Sequence, residues 1–306
     1  MKKFLKHSFL FVLPLIIAAI PLEIMLRKVP NPYKYKYEWM QKNAEEVETI
    51  VLGSSHTFYG IRPEFLNGKA FSLANVSQDI PLDVYLLEYW ASRYKHLKTV
   101  ICPVSFFTWF SHGLEYGSEA YRCRYYKIYM DCHLYSDSPM YSFEFSDVRT
   151  AMGKVGKLLK KNADSEYDEY GWGTTYQLSK KDTMIWNDGT EAEAAVKRHT
   201  AKNWDYIEDN YAQLQHLARF CKTHDIQLIF VTTPCWNTYT DNLDEKQLTK
   251  TYELTHKLVS EFGLPYFDYL KDERFIPNDF YDSNHLSDVG AEKFTKILAE
   301  DIRQLK

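Results

Sequence analysis

The stretch TIVLGSSHTFYGI, Thr49 to Ile61, decides how the rest of the chain is read. β-Favouring residues run straight into Gly53-Ser54-Ser55-His56, the pattern of a buried strand that ends in a tight turn holding two hydroxyls and an imidazole. Taken alone, Gly and Ser are ordinary turn residues, so the stretch needs partners elsewhere before it means chemistry.

Moving outward, further strand candidates are AFSLANVS after residue 69, TVICPVS after residue 98, IQLIFVTTP after residue 225 and the short PYFDY after residue 264. Helical patterns separate them: PLDVYLLEYWASRY, a long segment from Trp204 to His224, DEKQLTKTYELTHKLVSEFG, and a last helix from about Ser287. Strands alternating with helices predict an α/β fold whose parallel sheet is covered on both faces. The alternation lapses over about 106–203, too long for a structureless loop in a compact domain and therefore an expected insert. Its first part is dense in tyrosine (YRCRYYKIYMDCHLYSDSPMYS), its middle is a basic helical run (GKVGKLLKK), and it ends in DEYGWGTTYQL. The tyrosines are expected to pack a core more than to stack on sugar rings.

The N-terminus follows a different logic. Lys2, Lys3 and Lys6 precede the apolar run Phe9 to Leu22, which Ile24, Met25 and Leu26 extend beyond Glu23. A positive end before such a run predicts a membrane anchor with the lysines on the cytoplasmic side. Cleavage as a signal peptide is the competing expectation, weakened because Ala18-Ala19-Ile20-Pro21 offers no good small-residue pair. The expected organisation is an anchor over 1–28, a linker running into a short helix over 29–47, and one domain over 48–306.

The chain has 306 residues, 45% of them hydrophobic, and a formal net charge of −4. It can bury a sizeable core. With no sustained Lys/Arg stripe it lacks the basic face that phosphate neutralisation requires, so a nucleic-acid partner is not expected. Cys102, Cys123, Cys132, Cys221 and Cys235 match no zinc or haem spacing; Cys123 and Cys132 either pair in an oxidising compartment or pack as separate buried thiols. No metal site and no cofactor is expected, and neither Gly-x-Ser-x-Gly nor His-Glu-x-x-His is present.

The partner for the opening turn lies near the C-terminus. In FYDSNHLSDVGAEKF, Asp282 stands three residues before His285, at the entrance to a helix that Ser287 or Asp288 can cap. If one ring nitrogen of His285 takes a proton from a hydroxyl, Asp282 can hold the other ring N–H and stabilise the imidazolium. Ligands of parallel sheets bind outside the carboxyl ends of the strands, which is where Gly53-Ser54-Ser55 falls. The opening turn of Gly53-Ser54-Ser55 and the closing loop of Asp282 and His285 can therefore meet across the sequence; His56 either lines the pocket and contacts substrate or packs behind Ser55, and Ser105 is a candidate substrate contact.

These residues resemble the SGNH (GDSL-like) hydrolases. Gly53-Ser54-Ser55 stands where that family carries Gly-Asp-Ser, and Asp282-Ser-Asn-His285, followed by Leu286 and Gly290, is similar to its closing Asp-x-x-His block. The likeness covers about 49–103 and 205–306 and is greatest to the membrane-anchored extracytoplasmic branch, which includes the alginate O-acetylation and teichoic acid D-alanylation proteins. It implies a three-layer α/β/α, flavodoxin-like domain in which Ser55 is the nucleophile, His285 the base and Asp282 its orienter, with an oxyanion hole from the backbone of Ser55 and of Ser77 in LANVSQD, where the family has glycine. The third block, Gly-x-Asn-Asp, is absent; after the third strand the chain reads CPVSFF, without the side-chain amide donor.

The function so implied is transfer of an acyl group, most simply acetyl, to hydroxyls of a cell-envelope or secreted polysaccharide, or its hydrolysis from them. The alternative is a non-catalytic glycan-binding or scaffold protein of an envelope acetylation complex. A multi-pass membrane acyltransferase would supply the acyl group, with the domain on the periplasmic side of the inner membrane.

Overall fold

A computed structural model describes residues 1–135, 138–159, 165–182 and 189–305. All five expected strands are present: β1 (Thr49–Val51), β2 (Ala70–Ser72), β3 (Thr99–Pro103), β4 (Gln227–Thr232) and β5 (Tyr266–Asp268). They form one sheet in the order β2-β1-β3-β4-β5, with every neighbouring pair parallel. This is the flavodoxin-like strand order, with a topological switch between β1 and β3.

Period-two alternation sends side chains to two helical layers. Ile50, Val100, Cys102, Leu228 and Phe230 enter one core with Leu86 and Leu87 of helix Ile80–Tyr89 and Leu214 and Leu217 of helix Ile207–Thr223. Val51, Ile101 and Val231 enter the other with Phe294 and Leu298 of helix Asp288–Arg303. Such strands are apolar on both faces, which is why they read as short continuous hydrophobic runs.

The stretch 29–47 is not a free linker. It forms helix Pro32–Asn43, capped by the Asn31 side chain accepting from the Lys34 N–H at 3.0 Å, and buries Tyr33, Met40, Ala44 and Val47 in the first core. The insert packs on the same core through Trp109, Phe110, Leu114, Tyr126 and Met130. Its tyrosines therefore do the packing expected of them. The end of the basic run, Lys160 and Lys161, lies outside the described residues. All five cysteines are buried free thiols, so Cys123 and Cys132 are not paired.

The N-terminal run forms helix Lys2–Arg27, which continues through Pro14 and Pro21. Its last turns dock on the insert. The Glu23 carboxylate accepts the N–H groups of Glu144 and Phe145 at 3.0 and 3.2 Å and is paired with Arg27, which explains a charge inside an apolar run. Among the described residues, no helix is long and apolar enough to cross a membrane, so the anchor expected over 1–28 is not seen as a span.

Candidate active site

The turn after β1 is built around Gly53, whose φ is +111°. A Cβ there would lie 2.1 Å from Pro103 Cγ, so only glycine lets β1 and β3 close at this point. The Gly53 N–H donates to Asp83 Oδ1 at 2.8 Å, and the Gln78 amide donates to the same oxygen at 2.6 Å. Burial pushes the Asp83 carboxyl up to about 7, against the lowering effect of those two donors. Ser55 is the first residue of helix Ser55–Gly60, so its N–H is one of those a helix leaves without an internal acceptor.

The closing loop is a short antiparallel bridge between Phe280 and Leu286, with the Tyr281 N–H donating to the His285 carbonyl at 2.9 Å. Ser287 caps the following helix, accepting the Gly290 N–H at 3.2 Å. Inside this loop Asp282 Oδ1 accepts the backbone N–H of Asn284 (3.1 Å) and of His285 (2.8 Å). His285 Nδ1 lies 2.8 and 3.0 Å from the two Asp282 oxygens, so that nitrogen carries the proton and donates it. Its Nε2 is then an acceptor, and it receives the Ser55 hydroxyl at 2.8 Å. Burial by itself would raise the Asp282 carboxyl, but the facing His285 and the backbone donors outweigh it and hold it below the ordinary range. Residues 230 positions apart thus meet above the switch point of the sheet.

The two candidate substrate contacts fall elsewhere. His56 and Ser105 are 4% and 3% exposed, and they bond to each other. The Asn284 amide donates to His56 Nε2 at 3.1 Å, leaving Nδ1–H to donate to the Ser105 hydroxyl at 3.1 Å. Burial, then the neighbouring His285 and His199, hold His56 well below the usual imidazole range, so it is neutral. His56 follows Ser55 in a helix, where successive side chains point about 100° apart, so a residue beside an exposed hydroxyl turns inward. It ties the Ser55 turn to the closing loop through Asn284 instead of facing a ligand.

Ser77 sits in the left-handed region with φ +59°, the conformation for which glycine is the usual residue. The turn that carries it is braced from below. The Asn75 N–H donates to the Gly53 carbonyl at 3.1 Å, and the buried Lys36 amine of helix Pro32–Asn43 donates to the Ala74 carbonyl. Burial drives that amine well below its ordinary range.

Ser55 and Ser77 line one cavity of about 280 Å³, together with Gln78, Phe107, Arg198 and His199. The last three come from the insert, and no spacing in the sequence connects them to the site. Beside His285, Tyr176 lies edge-on at 5.2 Å and stacks between Tyr59 (3.8 Å) and Tyr281 (4.3 Å). Among the described residues, no three His, Cys, Asp or Glu side chains are grouped to hold a metal ion.

No protein-family model matches the chain, and a search of curated proteins gives no match. Among solved structures, the chain is similar to a GDSL-like lipase from Bacteroides thetaiotaomicron, with 9% identity and a TM-score of 0.42 over 90% of this chain and 100% of that one. It is also similar to a carbohydrate acetylesterase family member from Sinorhizobium meliloti, with 12% identity and a TM-score of 0.35 over 85% of this chain and 99% of that one.

Proposed function

We propose that this protein is a serine-dependent acyl-transfer enzyme in which Ser55 is the nucleophile, His285 the general base and Asp282 the group that orients it. The observation that carries this reading is the unbroken relay from the Ser55 hydroxyl to His285 Nε2 at 2.8 Å and from His285 Nδ1–H to Asp282 at 2.8 Å. In the acylation step the Ser55 oxygen bonds to the ester carbonyl carbon, its proton passes to His285 Nε2, and the carbonyl π pair moves onto oxygen. The N–H groups of Ser55 and Ser77 are the donors for that oxyanion. Collapse expels the alkoxide, which leaves with the proton from His285. Water or a sugar hydroxyl then attacks the acyl-Ser55 ester, with His285 again taking the proton and returning it to the Ser55 oxygen as the acyl–oxygen bond breaks.

The substrate class belongs to the same proposal: an acyl group, most simply acetyl, on hydroxyls of a cell-envelope or secreted polysaccharide. Attachment to the inner membrane through 1–28 and delivery of the acyl group by a multi-pass acyltransferase complete it, with the domain extracytoplasmic. Supporting the membrane attachment, Phe9, Phe11, Ile17 and Ile20 are exposed along helix Lys2–Arg27. The test is incubation of the purified protein with acetylated oligosaccharides, with and without an unacetylated acceptor glycan. Released acetate alone identifies an esterase, and acetylated acceptor identifies a transferase. Neither product, under conditions where the protein is folded, overturns the enzymatic reading.

A further inference from the structure

The oxyanion site proposed above has only backbone donors, and Ser105, the hydroxyl in the turn directly after β3, is buried and does not line the cavity. On the insert side of the same cavity stands His199, at the C-terminal end of helix Thr190–His199. Building on the reading of Ser55 as nucleophile, we propose that the His199 side chain is a third oxyanion donor, offering Nε2–H to the oxygen that becomes negative when Ser55 attacks.

The tautomer follows from its neighbours. His199 Nδ1 lies 2.7 Å from the hydroxyl of Tyr239, a residue with no solvent exposure. A buried hydroxyl is costly without an acceptor, so it donates to Nδ1, and the ring proton resides on Nε2. Nδ1 being occupied by Tyr239, Nε2 is the ring nitrogen left for the cavity. Burial, with the nearby His285 and Arg198, pushes the His199 imidazole down to about 3, so at neutral pH it is a neutral donor and not a competing base.

Its position is held as firmly as a donor requires. The Gln247 amide, 1% exposed, donates to the carbonyls of His199 (2.9 Å) and Phe106 (3.1 Å), while its oxygen accepts the Ala201 N–H at 2.8 Å. Phe107 packs on the ring at 4.5 Å between centroids. At the other end of the same helix, Glu191 accepts the Ser283 N–H at 3.0 Å, so the helix that carries His199 is also tied to the loop that carries Asp282 and His285. His199 keeps its proton throughout: the hydroxyl proton of Ser55 goes to His285, and His199 only shares its N–H with the oxyanion.

The experiment uses the full chain and begins with a fluorophosphonate that labels an activated serine. His199→Phe, His199→Gln and Tyr239→Phe are then compared on a chromogenic acetate ester and for inhibition by phenylboronic acid, whose tetrahedral boron adduct with serine places a hydroxyl oxygen in the same site. Loss of one oxyanion donor costs about 100–1,000-fold in kcat, so His199→Phe should show that loss with KM changed by less than about threefold. The phenylboronic acid should bind correspondingly more weakly. His199→Gln restores an N–H and should recover at least about tenfold of the loss, and Tyr239→Phe should fall between it and the wild type. The acid limb of the pH–rate profile should stay in place in all three. Labelled Ser55 together with His199→Phe retaining kcat within about threefold overturns this proposal alone, as does a loss that Gln does not relieve and that leaves the boronate affinity unchanged. Failure to label Ser55 in the wild-type protein overturns the nucleophile assignment and this proposal with it.

Discussion

Replacing Asp282 with Asn should abolish most activity while leaving the fold intact, and the reason lies in which atoms the new amide can satisfy. Asp282 Oδ1 accepts two backbone N–H groups, from Asn284 at 3.1 Å and His285 at 2.8 Å. An Asn side chain keeps those two bonds by placing its carbonyl oxygen there. Its NH2 then replaces Oδ2 and faces His285 Nδ1, which lies 3.0 Å from Oδ2 in the wild-type protein. His285 Nδ1 also lies 2.8 Å from Oδ1, but that oxygen already accepts two backbone N–H groups, and an Nδ1–H would face the new N–H as well, so the proton moves to Nε2 and His285 then presents a proton to Ser55 instead of a lone pair. The same tautomer reversal in a serine–histidine–aspartate site lowers kcat about 10⁴-fold, and a loss of that order is expected here. The assay is initial-rate hydrolysis of a chromogenic acetate ester, with a thermal melt of each protein as control. Asp282→Asn retaining a rate within about tenfold of the wild type, with an unchanged melt, would refute the reasoning, since the orienting carboxylate would then be dispensable.

Gly53→Ala meets Pro103 Cγ at 2.1 Å and Thr57 Oγ1 at 2.7 Å from a residue at φ +111°, so it should destabilise the protein by about 3–5 kcal/mol, read as a lowered denaturant midpoint. Ser77→Gly keeps the backbone N–H and suits φ +59° without strain, so activity should stay within about threefold of wild type; a larger loss would mean the hydroxyl itself contributes. Asp83 binds its proton more tightly when folded, at about 7 against 3.8, so its share of stability is present at low pH and lost as pH rises from about 4 to about 7, on the order of 4 kcal/mol at most. Asp83→Asn should flatten stability across that window in denaturant titrations, and an unchanged slope would show that the carboxyl is not proton-linked to folding. Asp282 runs the opposite way: its folded pKa lies below 3.8, so its contribution is present above that pH and is lost on further acidification.

The sheet was legible because strands buried on both faces leave a plain signal, short β-branched runs between turn residues. That the turn of Ser55 and the loop of Asp282 and His285 meet was legible because parallel strands present their carboxyl ends at one edge of the sheet. What chain order cannot supply is the direction in which a polar side chain points. His56 turns inward because it follows Ser55 in a short helix, where it is held by Asn284 and Ser105. The packing of 29–47 was hidden by an alternation of Tyr and Lys (YKYKYEW) that looks amphiphilic and solvated, although Tyr33, Lys36 and Met40 are buried. His199 left no signal at all. Its role depends on how the insert folds back over the carboxyl edge of the sheet, and that is a tertiary property.

The most direct test of the account is a search for the covalent intermediate. The full-length protein, mixed with an activated acetate ester and quenched in acid within the first turnovers, should yield a proteolytic peptide spanning Ser55 that carries one acetyl group on that hydroxyl. Ser55→Ala should yield none and should lose turnover. Turnover that survives in Ser55→Ala, or an acetyl group found only on other residues, would contradict the assignment of Ser55 as the nucleophile.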